Sequence, residues 1–370
     1  MPANTAAWYV AKQTKLEVKP APYTAPAENE IVIRNHAVAI NPVDWAIPIL
    51  GHLMFPWITL PAILGEDLAG EVAEVGTGVT RFKVGDRVVG HAVGLNKNRN
   101  KTAEGAFQLY CVVPAHMASP IPDALSYESA AVLPLGLSTA ACGLFQKDFL
   151  ALRHPSADAK PIGKTLLITG GATSVGSNAI QLAVAAGYEV FTTASPHNFG
   201  YVRSLGASQV FDYHGKTVAK DIIAALNGKT IAGALAIATG SVGLCLDVVH
   251  ACPGDKFVAL AAAAISLGDV GSGGALDILR LLPKLMAGNL STALKSRLRG
   301  IRTKFIFGGS LVDNEVGEAI YVDFLPQALA NGRYVAAPPA LVVGAGLEAI
   351  ETGFEVQRKG MSAQKVVVSL

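Results

Sequence analysis

The segment 166–194 has the residue types of a phosphate-binding turn. Its sequence, LLITGGATSVGSNAIQLAVAAGYEVFTTA, begins as an apolar run, passes through Gly170, Gly171 and Gly176, and continues as an amphipathic helical pattern before a second apolar run. Glycines between a strand and a helix let a pyrophosphate approach the backbone, where N–H groups and the helix dipole favour negative charge. The spacing is not G-x-G-x-x-G, so it fits either a dinucleotide site or a tight turn without a ligand.

The residues after the second apolar run bear on which dinucleotide would bind. A site selective for NAD usually places Asp or Glu there to hold the ribose 2′-hydroxyl. This chain has Ser195, His197 and Asn198 instead, and the next carboxylate is Asp212. Neutral donors accept a 2′-phosphate that a carboxylate would repel, so the sequence predicts NADP(H). Arg203 follows nearby, either as a helix-surface residue or as a further phosphate contact.

A parallel sheet is the element that would position these residues. From about Ser138 onward, short apolar runs alternate with helical or loop segments: TLLITG, EVFTTA, QVFDY, GALAIAT, KFVALA and KFIFGG. This alternation predicts parallel strands joined by crossover helices. The first third instead reads as strands separated by Gly-containing turns, and KVVVSL closes the chain as a strand. The sequence therefore predicts an α/β protein with a β-rich first part.

Composition excludes several classes of protein. The chain has 370 residues, of which 51% are hydrophobic and 16% are charged, with a net charge of +2. This length suits two domains or one large one, and the near-neutral charge gives no reason to expect nucleic acid or a membrane surface as partner. The apolar run 257–267 is too short to cross a bilayer, the N-terminus lacks a secretory pattern, and the four cysteines are scattered. We expect a cytoplasmic protein with reduced thiols.

With these residues placed, the chain resembles the medium-chain dehydrogenase/reductase superfamily. It is most similar to the zinc-independent quinone oxidoreductase and enoyl reductase branch, including fungal trans-acting enoyl reductases. The matching motifs, in the family's order, are AINPVDW, GEDLAGEV, VGDRVVG, GAF, AAVLPLGLSTA, GGATSVG, ASPHNF, VFDY and GMSAQKVVV. The resemblance implies a GroES-like catalytic domain formed by residues 1–137 and 311–370, interrupted by a Rossmann NADP(H)-binding domain at 138–310.

The family's zinc ligands are not carried over. Zinc-dependent relatives have a cysteine, a histidine and a cysteine at the positions of Asn41, Glu66 and Leu135. The lobe that carries four cysteines in those relatives contains none here. One carboxylate cannot build a catalytic zinc site with three protein ligands. We therefore expect no metal.

The resemblance also implies which residues contact the cofactor. The candidates near the pyrophosphate are Gly170, Thr173, Ser174, Val175 and Gly176. The candidates for the adenosine and 2′-phosphate are Ser195, His197, Asn198 and Tyr213, with Lys359 from the C-terminal region. Asp44 and Leu260 map to the nicotinamide side, Ser362 and Ala363 map to the C-terminal loop over the cofactor, and Thr139 is a further candidate. Tyr213 taken alone would also fit an ordinary sheet-edge aromatic.

Without a metal, the expected chemistry is hydride transfer from NADPH to a small apolar acceptor, either an activated alkene (enoyl) or a quinone. The developing enolate needs a hydrogen-bond donor and then a proton. Asn41 is a candidate amide donor or a turn-forming residue before Pro42, and Asp44 belongs to the same catalytic segment. His52 lies near the position where mitochondrial-type enoyl reductases carry a tyrosine, and it is either the proton donor or a solvated loop residue.

Two other functions stay open from the sequence. One is a metal-independent carbonyl or alcohol oxidoreductase on the same cofactor scaffold. The other is an NADPH-binding protein without turnover. Relatives include monomers and dimers, so we expect a monomer or a homodimer.

Overall fold

The chain forms two compact units in this computed structural model, which describes residues 2–50, 55–261 and 275–370. The described residues of 2–138 and 309–370 make up the first unit, and those of 139–261 and 275–308 make up the second. The sequence placed these boundaries after residues 137 and 310, one and two residues away.

The strands and helices follow one another along the described chain as listed here. The strands are β1 (Asn4–Tyr9), β2 (Glu17–Ala21), β3 (Glu30–Ala39), β4 (Ala62–Ile63), β5 (Asp67–Val75), β6 (Arg87–His91), β7 (Tyr110–Pro114), β8 (Ala118–Pro120), β9 (Lys164–Ile168), β10 (Glu189–Ala194), β11 (Gln209–Asp212), β12 (Thr230–Ala236), β13 (Phe257–Leu260), β14 (Arg302–Phe305), β15 (Ala340–Ala345) and β16 (Lys365–Ser369). The helices are α1 (Pro42–Leu50), α2 (Tyr127–Ala130), α3 (Pro134–Phe145), α4 (Ser174–Ala185), α5 (Phe199–Ser204), α6 (Val218–Ala225), α7 (Ser241–Ala251), α8 (Ala275–Leu298), α9 (Glu315–Glu318), α10 (Leu325–Ala330) and α11 (Ala349–Arg358).

The first unit is built on two sheets. The smaller has the order β2-β1-β4, and the larger has the order β15-β16-β3-β5-β6-β8, with β7 also paired to β3. Strand β3 lies at the centre of the larger sheet, antiparallel to β5, β7 and β16. The C-terminal strand therefore packs beside a strand from the first forty residues. This places residues of distant parts of the chain next to one another.

The second unit contains a parallel sheet with the order β11-β10-β9-β12-β13-β14. Counted from β9, this is the order 3-2-1-4-5-6 of a doubly wound dinucleotide fold, in which ligands bind beyond the carboxyl ends of the strands. Leu166, Leu167 and Ile168 of β9 are fully buried, as expected for a central parallel strand. The predicted α/β class, a β-rich part plus a Rossmann-like sheet, is confirmed.

One helical segment of the described residues, Tyr127–Phe145, is long and apolar enough to cross a membrane by length and composition. Of its apolar window, 78% is buried inside the protein. A helical segment that is mostly buried in this way is typical of a protein core.

Candidate functional site

Strand register brings a group of polar side chains together in the first unit. Ala39 at the end of β3 pairs with Asp67 of β5 on one side and with Val367 of β16 on the other. The backbone N–H of Ile40 also donates to Val366 O, at 2.9 Å. The residues just beyond the end of β3 therefore lie between the start of β5 and the start of β16. We call Asn41, Asp44, Glu66, Asp67 and Lys365, which meet at this junction, the lysine cluster.

The Asn41 amide is held by two charged groups of this cluster. Lys365 Nζ lies 2.9 Å from Asp67 Oδ2 and also donates to Asn41 Oδ1. Asn41 Nδ2 donates to the same Asp67 oxygen at 2.9 Å. The ammonium has only donors and the carboxylate only acceptors, so these contacts assign the orientation of the amide. Asn41 is itself 3% exposed.

Asp67 is the acceptor on which these contacts converge. Its second oxygen, Oδ1, accepts a hydrogen bond from the backbone N–H of Leu135 at 2.6 Å. Leu135 lies in the first turn of α3, where unpaired N–H groups and the helix dipole favour a negative charge. Leu135 therefore contributes its backbone N–H to this site, and its apolar side chain is not a metal ligand. Three donors balance the burial of this carboxylate, which is 0% exposed.

Asp44 has a different environment in the same cluster. Its Oδ2 accepts the backbone N–H of Asn41 at 2.7 Å, as in a helix-capping turn at the start of α1. Its Oδ1 is buried, and no group of the described residues forms a hydrogen bond with it. Burial, followed by the nearby charge of Glu66, raises the pKa of Asp44 well above its ordinary value of 3.8. The protonated form of Asp44 is therefore favoured more strongly than that of an ordinary aspartate.

A chain of polar groups leads from Glu66 into the core. Glu66 Oε1 lies 3.7 Å from His91 Nε2, and His91 Nδ1 lies 2.8 Å from Ser138 Oγ. Ser138 Oγ lies 2.8 Å from the Tyr321 hydroxyl, which donates to Pro134 O at 3.0 Å. Burial raises the pKa of Tyr321, so its hydroxyl keeps its proton. The hydroxyl groups of Ser138 and Tyr321 therefore lie behind Glu66 and His91.

The described residues contain no group of three or more His, Cys, Asp or Glu side chains arranged to hold a metal ion. At the three positions that carry zinc ligands in zinc-dependent relatives, the structure places an amide bound to Lys365, a carboxylate beside His91 and an apolar side chain. The cation at this junction is the ammonium of Lys365.

The glycine turn of the second unit lies at the N-terminus of α4. Thr173 Oγ1 accepts the backbone N–H of Gly176 at 3.0 Å and donates to Gly170 O at 2.8 Å, which caps the helix. Gly170 has φ +68°, and a Cβ on Gly176 would lie 2.2 Å from Gly170 O. Ser174 Oγ is buried, without a hydrogen-bond partner in the described part of the chain. These residues form a backbone cradle at a helix N-terminus with an unused hydroxyl, which suits an anion.

The carboxyl ends of β10 and β11 hold a second polar group. Ser195 Oγ donates to the Tyr213 hydroxyl at 3.1 Å, and Tyr213 is 50% exposed. In the sequence Asp212 is remote from Ala194, but parallel pairing places these two residues side by side. The Asp212 carboxylate accepts the backbone N–H and faces Nδ1 of His214, each at 3.0 Å. These hydrogen bonds, chiefly the backbone one, lower the pKa of Asp212.

The remaining candidates lie in separate segments. His197 and Asn198 form the 3₁₀ turn after β10, and the Arg203 guanidinium stacks on the Phe199 ring at 5.6 Å, in keeping with a helix-surface residue. Val175 lies in the first turn of α4. Thr139 and Leu260 belong to the second unit, at α3 and at the end of β13, whereas Lys359, Ser362 and Ala363 belong to the first, between α11 and β16. His52 lies outside the described residues.

Sequence reasoning missed Asp67, His91, Tyr321 and Lys365 as members of a site. Two of them stand at a recognisable place in the sequence, the head of an apolar strand. Asp67 follows Glu66 at the head of an apolar strand, and Lys365 opens the apolar run KVVVSL. A lysine is almost never fully buried unless it is paired, so only the observed burial identifies Lys365 as part of a network.

Comparison with known proteins agrees with this architecture. The family model "Alcohol dehydrogenase GroES-like domain" matches residues 27–123. Dehydrogenase pigH of Monascus ruber is 52% identical over 372 residues, covering 100% of both chains. Trans-enoyl reductase himH of Aspergillus japonicus is 38% identical over 370 residues, covering 99% of this chain and 97% of the other. The solved structure of Escherichia coli quinone oxidoreductase complexed with NADPH matches with a TM-score of 0.65 and 20% identity over 100% of both chains, which shows a shared fold.

A GroES-like unit joined to a doubly wound parallel sheet defines the class of two-domain dehydrogenases and reductases. The chain belongs to the medium-chain dehydrogenase/reductase superfamily, as its motifs indicated.

Proposed function

We propose that this protein is a zinc-independent, NADPH-dependent reductase that delivers hydride to an activated alkene (enoyl) or to a quinone. The observation that carries the proposal is the buried Lys365 ammonium, bound to Asp67 and Asn41. An ammonium at this junction supplies the positive charge that a metal ion would supply, and it repels a divalent cation. The name of the relative himH, a trans-enoyl reductase, supports an enoyl acceptor over a quinone.

The glycine turn fits a dinucleotide cofactor. The capped N-terminus of α4 and the unpartnered Ser174 hydroxyl suit a pyrophosphate, which we assign to the segment Gly170 to Gly176. When bound, the reduced nicotinamide supplies the hydride. The other proposed cofactor residues are Asp44, Thr139, Ser195, His197, Asn198, Tyr213, Leu260, Lys359, Ser362 and Ala363.

The preference for NADPH rests on the ends of β10 and β11. Ser195 and Tyr213 present two hydroxyl groups there, which are hydrogen-bonded to each other. The one carboxylate at this edge in the described structure, that of Asp212, accepts from His214. The Asp212 charge is thereby compensated by His214. Ser195 uses its hydroxyl proton on Tyr213, which leaves the Tyr213 proton to donate to a 2′-phosphate.

Asn41 is the proposed hydrogen-bond donor to the acceptor. As hydride adds to the alkene, negative charge develops on the conjugated oxygen, and a preorganised N–H aimed at that oxygen stabilises it. One Nδ2 hydrogen is bound to Asp67, and an amide nitrogen carries a second. For the later proton transfer the sequence offers His52, which we expect to contribute at most modestly to turnover.

The test is a set of turnover assays with an enoyl thioester, a quinone and an aldehyde, each with NADPH and NADH, before and after treatment with a chelator. We expect NADPH oxidation with the enoyl thioester or the quinone that the chelator does not affect. Reduction of the aldehyde alone would indicate a carbonyl reductase, and cofactor binding without any turnover would indicate a binding protein. Either result would contradict the proposal.

A further inference from the structure

The Asn41 amide is anchored at both of its ends, which fixes the direction of its remaining hydrogen. Lys365 donates to Oδ1, and Asp67 accepts from Nδ2. With one anchor, the amide plane could still turn about the Cβ–Cγ bond of Asn41. With two anchors on opposite ends, the plane is set, and the second Nδ2 hydrogen has one direction.

The anchors are themselves held by elements of the sheet. Lys365 is the first residue of β16 and Asp67 the first of β5, and both strands pair with β3, whose end precedes Asn41. Asp67 is fixed further by the backbone N–H of Leu135. Such support from packed elements holds a reacting group within the small tolerance that catalysis requires.

We propose that Lys365 is a positioning residue, which with Asp67 holds the Asn41 amide so that its second Nδ2 hydrogen points at the acceptor oxygen. The inference rests on the proposed function for the role of that hydrogen. Lys365 itself does not transfer a proton in this scheme. The alternative is that the ion pair only joins β16 to β5 and contributes to stability.

A double-mutant cycle in turnover separates the two roles. We expect Asn41→Leu to lower kcat about a hundredfold, the size found for a lost oxyanion donor. Lys365→Met should lower kcat at least about tenfold and leave the Kd for NADPH unchanged. If Lys365 acts through Asn41, then adding Lys365→Met to Asn41→Leu causes no further loss. Equal losses in both backgrounds would overturn the proposal.

Two further variants control for folding and for removal of charge. Lys365→Met alone leaves Asp67 buried without its partner, so Lys365→Met/Asp67→Asn is made as a variant with a neutral pair. This neutral-pair variant should fold and lose as much kcat as Lys365→Met does. Lys19→Met removes an exposed lysine that pairs with Glu17, and it should leave turnover unchanged. A fully active neutral-pair variant would overturn the proposal.

A measurement without substrate tests the anchoring directly. In protein labelled with ¹⁵N-asparagine, the Asn41 side-chain amide is identified by its loss in Asn41→Leu. We expect slow hydrogen exchange of this amide in the wild type and at least about tenfold faster exchange in the neutral-pair variant. Unchanged exchange would overturn the anchoring. If the wild type reduces none of the acceptors, the proposed function fails, and the exchange measurement alone decides whether Lys365 holds the amide.

Discussion

The ammonium of Lys365 lies 2.9 Å from the carboxylate of Asp67, with the two side chains 6% and 0% exposed. Both charges are therefore removed from water, and each is compensated by the other and by neighbouring hydrogen bonds. Removing one partner leaves a buried charge without compensation. The resulting loss of stability is much larger than the net stability that the intact pair contributes.

Asp67→Ala should therefore lower the free energy of unfolding by about 3–5 kcal/mol. Urea denaturation at pH 7 measures this change. The matched control is Asp255→Ala, because the Lys164–Asp255 pair has the same 2.9 Å separation but side chains 39% and 55% exposed. Loss of an exposed pair costs at most about 1 kcal/mol. Similar losses at the two sites would contradict the buried ion pair.

Asp44 should make stability depend on pH. Its pKa is raised above 3.8 in the folded protein, so between these two values the folded state holds a proton that the unfolded state has lost. The contribution of Asp44 is complete below pH 3.8 and declines by about 1.4 kcal/mol per pH unit as the pH rises toward the folded pKa. Asp44→Asn should remove this decline. Urea denaturation of both proteins at several pH values above 4 tests it, and parallel pH profiles would count against a protonated Asp44.

The purified protein should contain no stoichiometric zinc. The reason is the set Asn41, Glu66 and Leu135 at the ligand positions of the zinc-dependent relatives, together with the nearby Lys365 ammonium. Elemental analysis measures the metal content. About one zinc per chain, lost together with activity on chelation, would refute this prediction.

Ser195→Asp should weaken NADPH binding and spare or improve NADH binding, because it places a carboxylate where the 2′-phosphate is expected. In the wild type, two or three charge-assisted hydrogen bonds worth about 1.5–3 kcal/mol each should favour NADPH by about a hundredfold or more after the cost of desolvation. Calorimetry of both cofactors tests this. Ser156→Asp adds the same charge in an exposed loop before β9 and should change neither affinity. Equal affinity of the wild type for both cofactors would show that Ser195 does not reach the ribose.

His52→Gln should reduce turnover by less than about a hundredfold. General-acid catalysis by a positioned side chain typically contributes 10²–10⁴-fold, so a larger loss in steady-state kcat would identify His52 as the proton donor. If the same variant binds NADPH with normal affinity, then a loss of kcat is not caused by weaker cofactor binding.

Local sequence patterns were sufficient to predict the class of fold and the glycine turn after the first parallel strand. Alternating apolar runs and helical segments define a parallel sheet, and Gly170 and Gly176 mark the turn after its first strand, because strand periodicity and glycine conformation are properties of neighbouring residues. The same holds for Asn41 and Asp44, which lie in one short motif at the start of α1. Their hydrogen bond spans three residues.

Only the tertiary structure decided which groups surround Asn41 and Ala194. Lys365 reaches Asn41 across 324 residues of sequence, and Asp67 reaches it across 26, because β3 pairs with both β16 and β5 in a particular register. Asp212 lies beside Ala194 for the same kind of reason. Register is set by packing and hydrogen bonding over whole strands, so a lysine at the head of an apolar strand gives no sign in the sequence of the carboxylate and amide that it will meet.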